Sequence, residues 1–306
     1  MKAVIAGGSG LIGQALIDEF SKNGYEVVIL SRNPERKGVK LNEAEVIQWD
    51  GRTQGDWVNY INGADAVINL AGASIAGDSV LKMRWTAKRK AQILQSRVDA
   101  GKAITKAIQS IERKPGVLVQ SSAVGIYGPL RDEIVDEDHP LAQDFLAGVC
   151  RDWEKSTKDV EALGVRRVII RTGLVFSKEG GIFPLLRLPF SLFIGGPLGS
   201  GIQYLSWIHN DDVVGGISYL VEQDHAAGIY NLTSPDPISN KAFSREMGVR
   251  WNRPAWLPVP AFAMKLALGE VSTLALDGQR VVPARLIKSG YRFKYKNLED
   301  ALIDLL

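Results

Sequence analysis

Two sets of residues in this sequence have types and spacings suited to chemistry. In the first, Gly7, Gly10 and Gly13 stand three apart where an apolar run, Lys2 to Ala6, gives way to a helical pattern. Leu11, Ile12, Leu16, Ile17 and Phe20 share one face of that helix. Such a turn lets a pyrophosphate approach bare backbone at the positive end of a helix. A glycine turn without a ligand is the competing reading. The strand before the glycines, the helix after them and a second apolar strand from Glu26 to Leu30 decide against it. Gly7, Gly10, Leu11, Ile12 and Gly13 are therefore candidate contacts to a dinucleotide. The second set is dispersed: Ser122 with its neighbour Ser121, Tyr127, Cys150 and His209 are side chains able to hold or move a proton.

The elements that must position these groups follow a strand-helix alternation. The second strand ends in Ser31-Arg32, a hydroxyl and a fixed cation with no carboxylate at the junction. An acid there would hold a ribose 2′-hydroxyl, whereas Ser31 and Arg32 suit a 2′-phosphate, so NADP(H) is the expected cofactor. A third strand from Ala44 to Trp49 ends at Asp50, and a fourth from Ala66 to Asn69 runs into Leu70-Ala71-Gly72. Ligands of open parallel sheets sit outside the carboxyl ends of the strands. That places Asp50 near the adenine and Leu70, Ala71 and Gly72 near the ribose and pyrophosphate, although Asp50 is equally suited to forming a turn. Thr86 to Arg113 is expected as a long crossover helix. The charge run at its start, Lys82 to Lys90, is more typical of a solvated face than of an anion site. Val117 to Gln120 is a fifth strand, Phe145 to Leu163 a helix ending at Gly164, and Arg167 to Arg171 a sixth strand leading to Leu174 and Val175 at the nicotinamide end.

From Phe176 to Trp207 the alternation stops in a stretch rich in Gly, Pro and Phe. A helix from His209-Asn210 to Glu222 and a strand from Ile229 to Leu232 then return to the sheet. The remainder offers helices at Asn240 to Trp251, Ala261 to Leu268 and Asn297 to Leu305. The expected division is a nucleotide-binding domain of residues 1–175 plus 208–232, and a C-terminal substrate-binding domain of residues 176–207 plus 233–306.

Composition narrows the partners. The 306 residues are 45% hydrophobic, enough for a large core. Thirty-seven basic against thirty-four acidic residues give a net charge of +3, too balanced to argue for nucleic acid or a membrane surface. A single cysteine, Cys150, forms no internal disulfide and offers no metal-ligand spacing, so no metal is expected. The first strand begins at residue 2, and the most apolar stretch, Phe183 to Leu198, is broken by Arg187 and three prolines. The expected setting is cytoplasmic, with a small-molecule substrate; a homodimer is compatible with the sequence.

The glycine turn, Ser121-Ser-Ala before Tyr127-Gly, and Ser206-Trp-Ile-His-Asn-Asp-Asp212 occur in the order found in the extended short-chain dehydrogenase/reductases. The chain resembles that group, the NAD-dependent epimerases and dehydratases, over its full length. It is most similar to an atypical branch of epimerase-like proteins often labelled cell-division-inhibitor-like. Asn69-Leu-Ala-Gly72, Ser96-Arg-Val98, Trp153-Glu154, Gly195-Gly-Pro-Leu-Gly-Ser-Gly201 and Gly290-Tyr-Arg-Phe293 carry the likeness. The resemblance implies an α/β fold, a doubly wound parallel (Rossmann) sheet with a smaller C-terminal substrate-binding cap.

The wider group exchanges its proton through Tyr-x-x-x-Lys, and no tyrosine here is followed by lysine four residues on. Alignment through Trp153-Glu154 puts Leu146 at the tyrosine and Cys150 at the lysine position, while Arg97 replaces an asparagine usual in the group. Ser122, Tyr127 and Cys150 become the candidate catalytic residues, and Arg97 and Val175 complete the cofactor set. For Cys150 a small buried apolar role is the stronger alternative, and for His209 a structural hydrogen bond at a helix start. The function implied is an NADP(H)-dependent reductase or epimerase-like enzyme, with a non-catalytic NADP(H)-binding sensor as the alternative.

Overall fold

The computed structural model describes residues 1–34, 44–75 and 84–306. Seven parallel strands form the central sheet: β1 (Lys2–Ala6), β2 (Glu26–Ser31), β3 (Glu45–Gln48), β4 (Ala66–Asn69), β5 (Val117–Ala123), β6 (Arg166–Thr172) and, after an excursion, β10 (Gly228–Leu232). Their spatial order is β3-β2-β1-β4-β5-β6-β10. The order reverses between β1 and β4, so the carboxyl ends of those two strands open a crevice between diverging connections.

Alternation along the strands sorts the core into two layers. Ala3, Ile5 and Ile68 point to a cluster with Leu16, Ile17 and Phe20 of helix α1 (Leu11–Lys22). Val4, Ala6 and Val67 point to the other side, against Ala100, Ala103, Ile104 and Ala107 of helix α2 (Ala87–Ser110). Burial on both faces explains why these strands are continuously apolar. Thr86 caps α2 by accepting the Arg89 N–H at 3.2 Å. Of the charge run, Lys82 and Met83 lie outside the described residues.

β5 runs three residues beyond its apolar stretch, because Ser121, Ser122 and Ala123 stay in register with Ile170, Arg171 and Thr172 of β6. Helix α3 (Phe145–Lys155) stops earlier than its apolar pattern. The Ser156 hydroxyl donates back to the Trp153 carbonyl at 2.6 Å, and a 3₁₀ stretch then leads to Gly164 at φ 76°.

The excursion is more regular than its composition suggests. β7 (Leu174–Ser177) and β8 (Gly180–Gly181) form a hairpin, followed by helix α4 (Phe183–Ser191), whose Pro184 and Pro189 obscure the helical period. Strand β9 (Trp207–His209) lies parallel to β7, and His209 caps helix α5 (Asn210–Glu222) through Nδ1, which accepts the Asp211 N–H at 3.1 Å. A third cluster joins Phe176, Phe183 and Trp207 to Phe243 and Met247 of helix α6 (Asn240–Arg250). Helix α7 (Ala261–Leu268) follows, and helix α8 (Leu298–Leu305) adds Leu298, Leu302 and Leu305 to the same cluster. Buried Asp212 ties the Gly290-Tyr-Arg-Phe293 segment and the residues after it down, accepting the Tyr291 hydroxyl at 3.2 Å and the N–H groups of Lys294 at 2.7 Å and Tyr295 at 2.9 Å. Among the described residues no helix is long and apolar enough to cross a membrane.

Candidate functional site

A cleft of about 460 Å³ lies outside the carboxyl ends of β1, β2, β3 and β4. Gly7, Gly10, Ser31, Arg32, Asp50, Leu70, Ala71 and Gly72 all line it, so one surface gathers residues spread over the first quarter of the sequence. Gly7 adopts φ +84°, and a β-carbon there would come within 3.0 Å of the Leu70 and Ala71 backbone, so the turn closes on β4 only with glycine. Gly10 is the N-cap of α1 and supplies no capping side chain. The first intrahelical bond is Gln14 N–H to the Gly10 carbonyl at 2.9 Å. The N–H groups of Leu11, Ile12 and Gly13 belong to the first turn, which no intrahelical acceptor serves, beside a cleft at the positive end of the helix.

Side chains of the other turn residues point elsewhere. Leu11 lies against the β7–β8 hairpin, near Gly180 and Gly181, while Ile12 packs on the core. Gly13 abuts Gly8, where an added β-carbon would stand 2.6 Å from Gly8 Cα. Val175, paired with Ile208, is in the same hairpin and does not line the cleft.

Arg32 is exposed at the cleft's far end and has no ion-pair partner among the described residues. The Ser31 hydroxyl accepts the Asn33 N–H at 3.2 Å, which fixes the bend beside Arg32. Asp50 is a turn former: its carboxylate accepts the N–H groups of Arg52 and Thr53, both at 2.8 Å, and the Thr53 hydroxyl at 2.7 Å. Slight burial works against its charge, but those hydrogen bonds hold it below the ordinary aspartate range.

Two cations on the cleft wall, Arg52 and Arg89, were not singled out by sequence reasoning. Arg89 stands within the charge run, and its helical spacing with Gln92, Ser96 and Asp99, all facing the cleft, was the available signal. Arg89 Nη2 donates to the Ser74 carbonyl and Nη1 to Gln92 Oε1 at 2.9 Å, while its buried Nε has no hydrogen-bond partner.

Arg97 occupies the opposite side of the Gly72-Ala73 backbone and does not line the cleft. Its Nη1 donates to the Ala73 and Ile93 carbonyls, both at 3.0 Å, and its guanidinium carbon lies 4.8 Å from the centre of the Trp153 ring. Burial pulls this guanidinium down to about 10. One residue's rotation on α2 separates it from the cleft-facing row.

Of the proton-handling candidates, Ser122 and Tyr127 meet in a buried network, while His209 stands apart at the start of α5. The Ser122 hydroxyl donates to Glu154 Oε1 at 2.7 Å, and Arg171 grips the same carboxylate through Nε at 2.9 Å and Nη2 at 3.0 Å. Arg171 Nη1 donates to the Tyr127 hydroxyl at 3.0 Å, which donates to Asn231 Oδ1 at 2.8 Å. Burial raises the Tyr127 phenol above its ordinary range and opposes the Arg171 charge, which the Glu154 carboxylate and Tyr127 more than restore. Glu154 was noted only as part of a motif; its position one helical turn after Cys150 on α3 was the signal for a role here.

Cys150 is 5% exposed, packed with Val124, Ile126, Tyr127 and Val135. Burial, helped by the Glu154 charge, pushes its thiol up to about 11 against the weaker pull of Arg97. A thiol raised that far stays protonated at neutral pH, which favours the packing role for Cys150 over that of a thiolate acid/base. Cys150→Ala is expected to cost about 1 kcal/mol of stability for the lost sulfur, read by urea unfolding, and to leave nucleotide affinity within about twofold. A larger loss of affinity with intact folding would restore a functional role.

The parallel sheet, its reversal of strand order and the glycine cradle define a Rossmann-like α/β fold, and full-length relatives at 35–40% identity show that the chain belongs to the epimerase family. Residues 3–149 match the model of the NAD dependent epimerase/dehydratase family, and residues 259–305 match a domain of unknown function, DUF1731. "Epimerase family protein YfhF" of Bacillus subtilis is 40% identical over 309 residues, spanning 100% of this chain and 98% of that one. "Epimerase family protein SDR39U1 homolog, chloroplastic" of Arabidopsis thaliana is 36% identical over 308 residues, 99% of this chain and 86% of that one. The crystal structure of human epimerase family protein SDR39U1 (isoform2) with NADPH superposes with a TM-score of 0.88 at 30% identity, covering 100% of this chain and 99% of that chain.

Proposed function

We propose that the cleft binds NADP(H) and that the chain is an atypical reductase or epimerase-like enzyme acting on a small molecule beside it. Arg32 carries the cofactor choice: it is an exposed guanidinium at the adenosine end, free of acidic partners among the described residues, while Asp50, a carboxylate in the same cleft wall, is committed to its own turn. The uncapped start of α1 fits a pyrophosphate, and Gly10 leaves that approach open. The human relative bound to NADPH is consistent with this reading.

The nicotinamide, when bound, supplies hydride chemistry. The chain's own residues determine where a proton is held. With the Ser122 proton directed to Glu154 and that polarity fixed by the Arg171-Glu154 pair, the serine oxygen would meet a substrate hydroxyl as a hydrogen-bond acceptor. Calorimetric titration with NADPH and NADH tests the cofactor assignment, and failure to bind either dinucleotide refutes it. Turnover of NADPH across a panel of carbonyl compounds and nucleotide sugars tests the enzyme reading, with Ser122→Ala expected to lower it about 100-fold.

One observation favours a non-catalytic sensor: Ser122, Tyr127 and Cys150 are each 5% exposed or less, and both hydroxyls are already hydrogen-bonded. NADPH binding without turnover of any panel compound would select that alternative.

A further inference from the structure

Lys265 is the sole polar residue of helix α7, yet none of that helix's residues is buried. A helix apolar on every side is normally covered, by a protein core or by lipid. We infer that α7 and the outer face of α4 form a docking surface for an anionic lipid bilayer.

Shape gives the first argument. α4 turns Phe183 and Phe190 into the core, so its opposite face should be polar. Leu185, Leu188 and, just past the helix end, Leu192 are exposed there instead, at the three- and four-residue spacing of one helical stripe. Backbone pairing joins this stripe to α7. The Leu257 N–H donates to the Gly195 carbonyl at 3.2 Å, the Val259 N–H to the Pro197 carbonyl at 2.9 Å and the Gly199 N–H to the Val259 carbonyl at 2.8 Å. The residues leaving α4 therefore lie beside those leading into α7. Phe193, Trp256 and Phe262, exposed by 55%, 71% and 75%, alone present roughly 400 Å² to solvent. Leu188, Leu192 and Leu266, each more than half exposed, carry the face past roughly 600 Å², the upper end for the largest patch of a monomer.

Charge gives the second argument and selects the occupant. Residues 183–200 and 253–268 hold no Asp or Glu, and their charges are Arg187, Arg253 and Lys265. None of the three has an ion-pair partner among the described residues. Arg84 adds a cation at the end of α7, donating to the Leu266 carbonyl at 2.7 Å, and Glu270 beyond it is paired with Lys90. The near-balanced charge of the whole chain conceals this local excess. A second copy is the poorer occupant, because a two-fold contact sets the surface against itself and brings like charges together. An anionic bilayer takes up the apolar side chains while its headgroups meet the cations.

The third argument is the depth that the segment can reach. At eight residues α7 is about 12 Å long, far short of the roughly 30 Å of a hydrocarbon core, so it would lie in the interface. Trp256, in the segment leading to α7, is the side chain suited to the headgroup level. Pro254, Pro258 and Pro260 restrict that segment, so docking orders little more of it.

The test is flotation of the full chain, with NADPH present, on vesicles of phosphatidylcholine and phosphatidylglycerol at about 2:1, with pure phosphatidylcholine alongside. Binding to the mixed vesicles is expected at millimolar lipid, at least tenfold tighter than to the neutral ones and weakened by salt. Leu188→Glu and Leu266→Glu, which put a carboxylate on the lipid face, and Lys265→Glu, which reverses a headgroup contact, should each weaken it about tenfold or more. All three side chains are exposed, so folding is expected to survive, as circular dichroism would verify. Folded protein that ignores the mixed vesicles overturns the assignment, as does equal binding to both kinds of vesicle or binding that none of the substitutions weakens. Concentration-dependent dimerisation abolished by Leu266→Glu, without vesicle binding, overturns it in favour of a second copy of this chain. None of these outcomes depends on whether the cleft at the glycine turn takes NADPH.

Discussion

Arg32→Ala should weaken NADPH binding by about 30- to 100-fold while changing NADH affinity by no more than about twofold. A guanidinium facing a phosphate contributes charge-assisted hydrogen bonds of about 1.5–3 kcal/mol, and each 1.4 kcal/mol is tenfold in affinity. Arg32 is exposed at the cleft's end, and the bend that Ser31 makes with the Asn33 N–H holds the guanidinium's attachment point. Because the contact is solvated, the selectivity for NADPH should shrink as ionic strength rises. Arg52 shares the same end of the cleft, so Arg52→Ala should reduce the same selectivity to a smaller extent. The measurement is paired calorimetry of both dinucleotides at low and moderate salt. Equal losses for NADPH and NADH would remove Arg32 from the 2′-phosphate and leave the cofactor choice without its main support.

The sequence carried most of the scaffold because each central strand is buried on both faces and written as an uninterrupted apolar run. Lys2–Ala6 and Ala66–Asn69 were legible to the residue. β5 was cut short because buried serines look like a turn when their ladder partners are unknown, and Ser122 is in the ladder with Arg171. Phe183–Ser191 was missed because its prolines are turn signals, although one sits in the first turn of a helix, where no N–H is needed.

Within the cleft, residues at strand ends were found because topology alone places them there. Arg89 and Arg97 could not be assigned without the rotation of α2 about its axis. Eight positions apart, they differ enough in direction for one to face the cleft and the other α3. The fate of Cys150, Tyr127 and Ser122 depended on desolvation and on long-range partners such as Asn231, 104 residues from Tyr127. No local pattern encodes such a contact.

The glycine turn yields the other large effect, and here two neighbouring glycines should behave in opposite ways. Gly10 has φ −83° and ψ 173°, extended backbone open to valine, and an added β-carbon would meet just the Gly7 carbonyl oxygen, at 3.4 Å. Gly10→Val should therefore fold, losing about 1 kcal/mol or less, since glycine already provides no side-chain cap. Its branched side chain would fill the space a pyrophosphate needs, and NADPH affinity should fall by more than about 100-fold. Gly13 is tight for a different reason: its β-carbon would lie 2.6 Å from Gly8 Cα and 2.7 Å from Gly8 C, both backbone atoms that no rotamer can move aside. Gly13→Val should force α1 away from the turn and destabilise the fold by about 3 kcal/mol or more. Thermal unfolding followed by circular dichroism, alongside NADPH titration at a temperature where both variants are folded, separates the two effects. A Gly10→Val protein that binds NADPH normally would show that the dinucleotide does not rest on this turn. A Gly13→Val protein as stable as the parent would show that helix and turn are not in the close contact on which the cradle's shape depends.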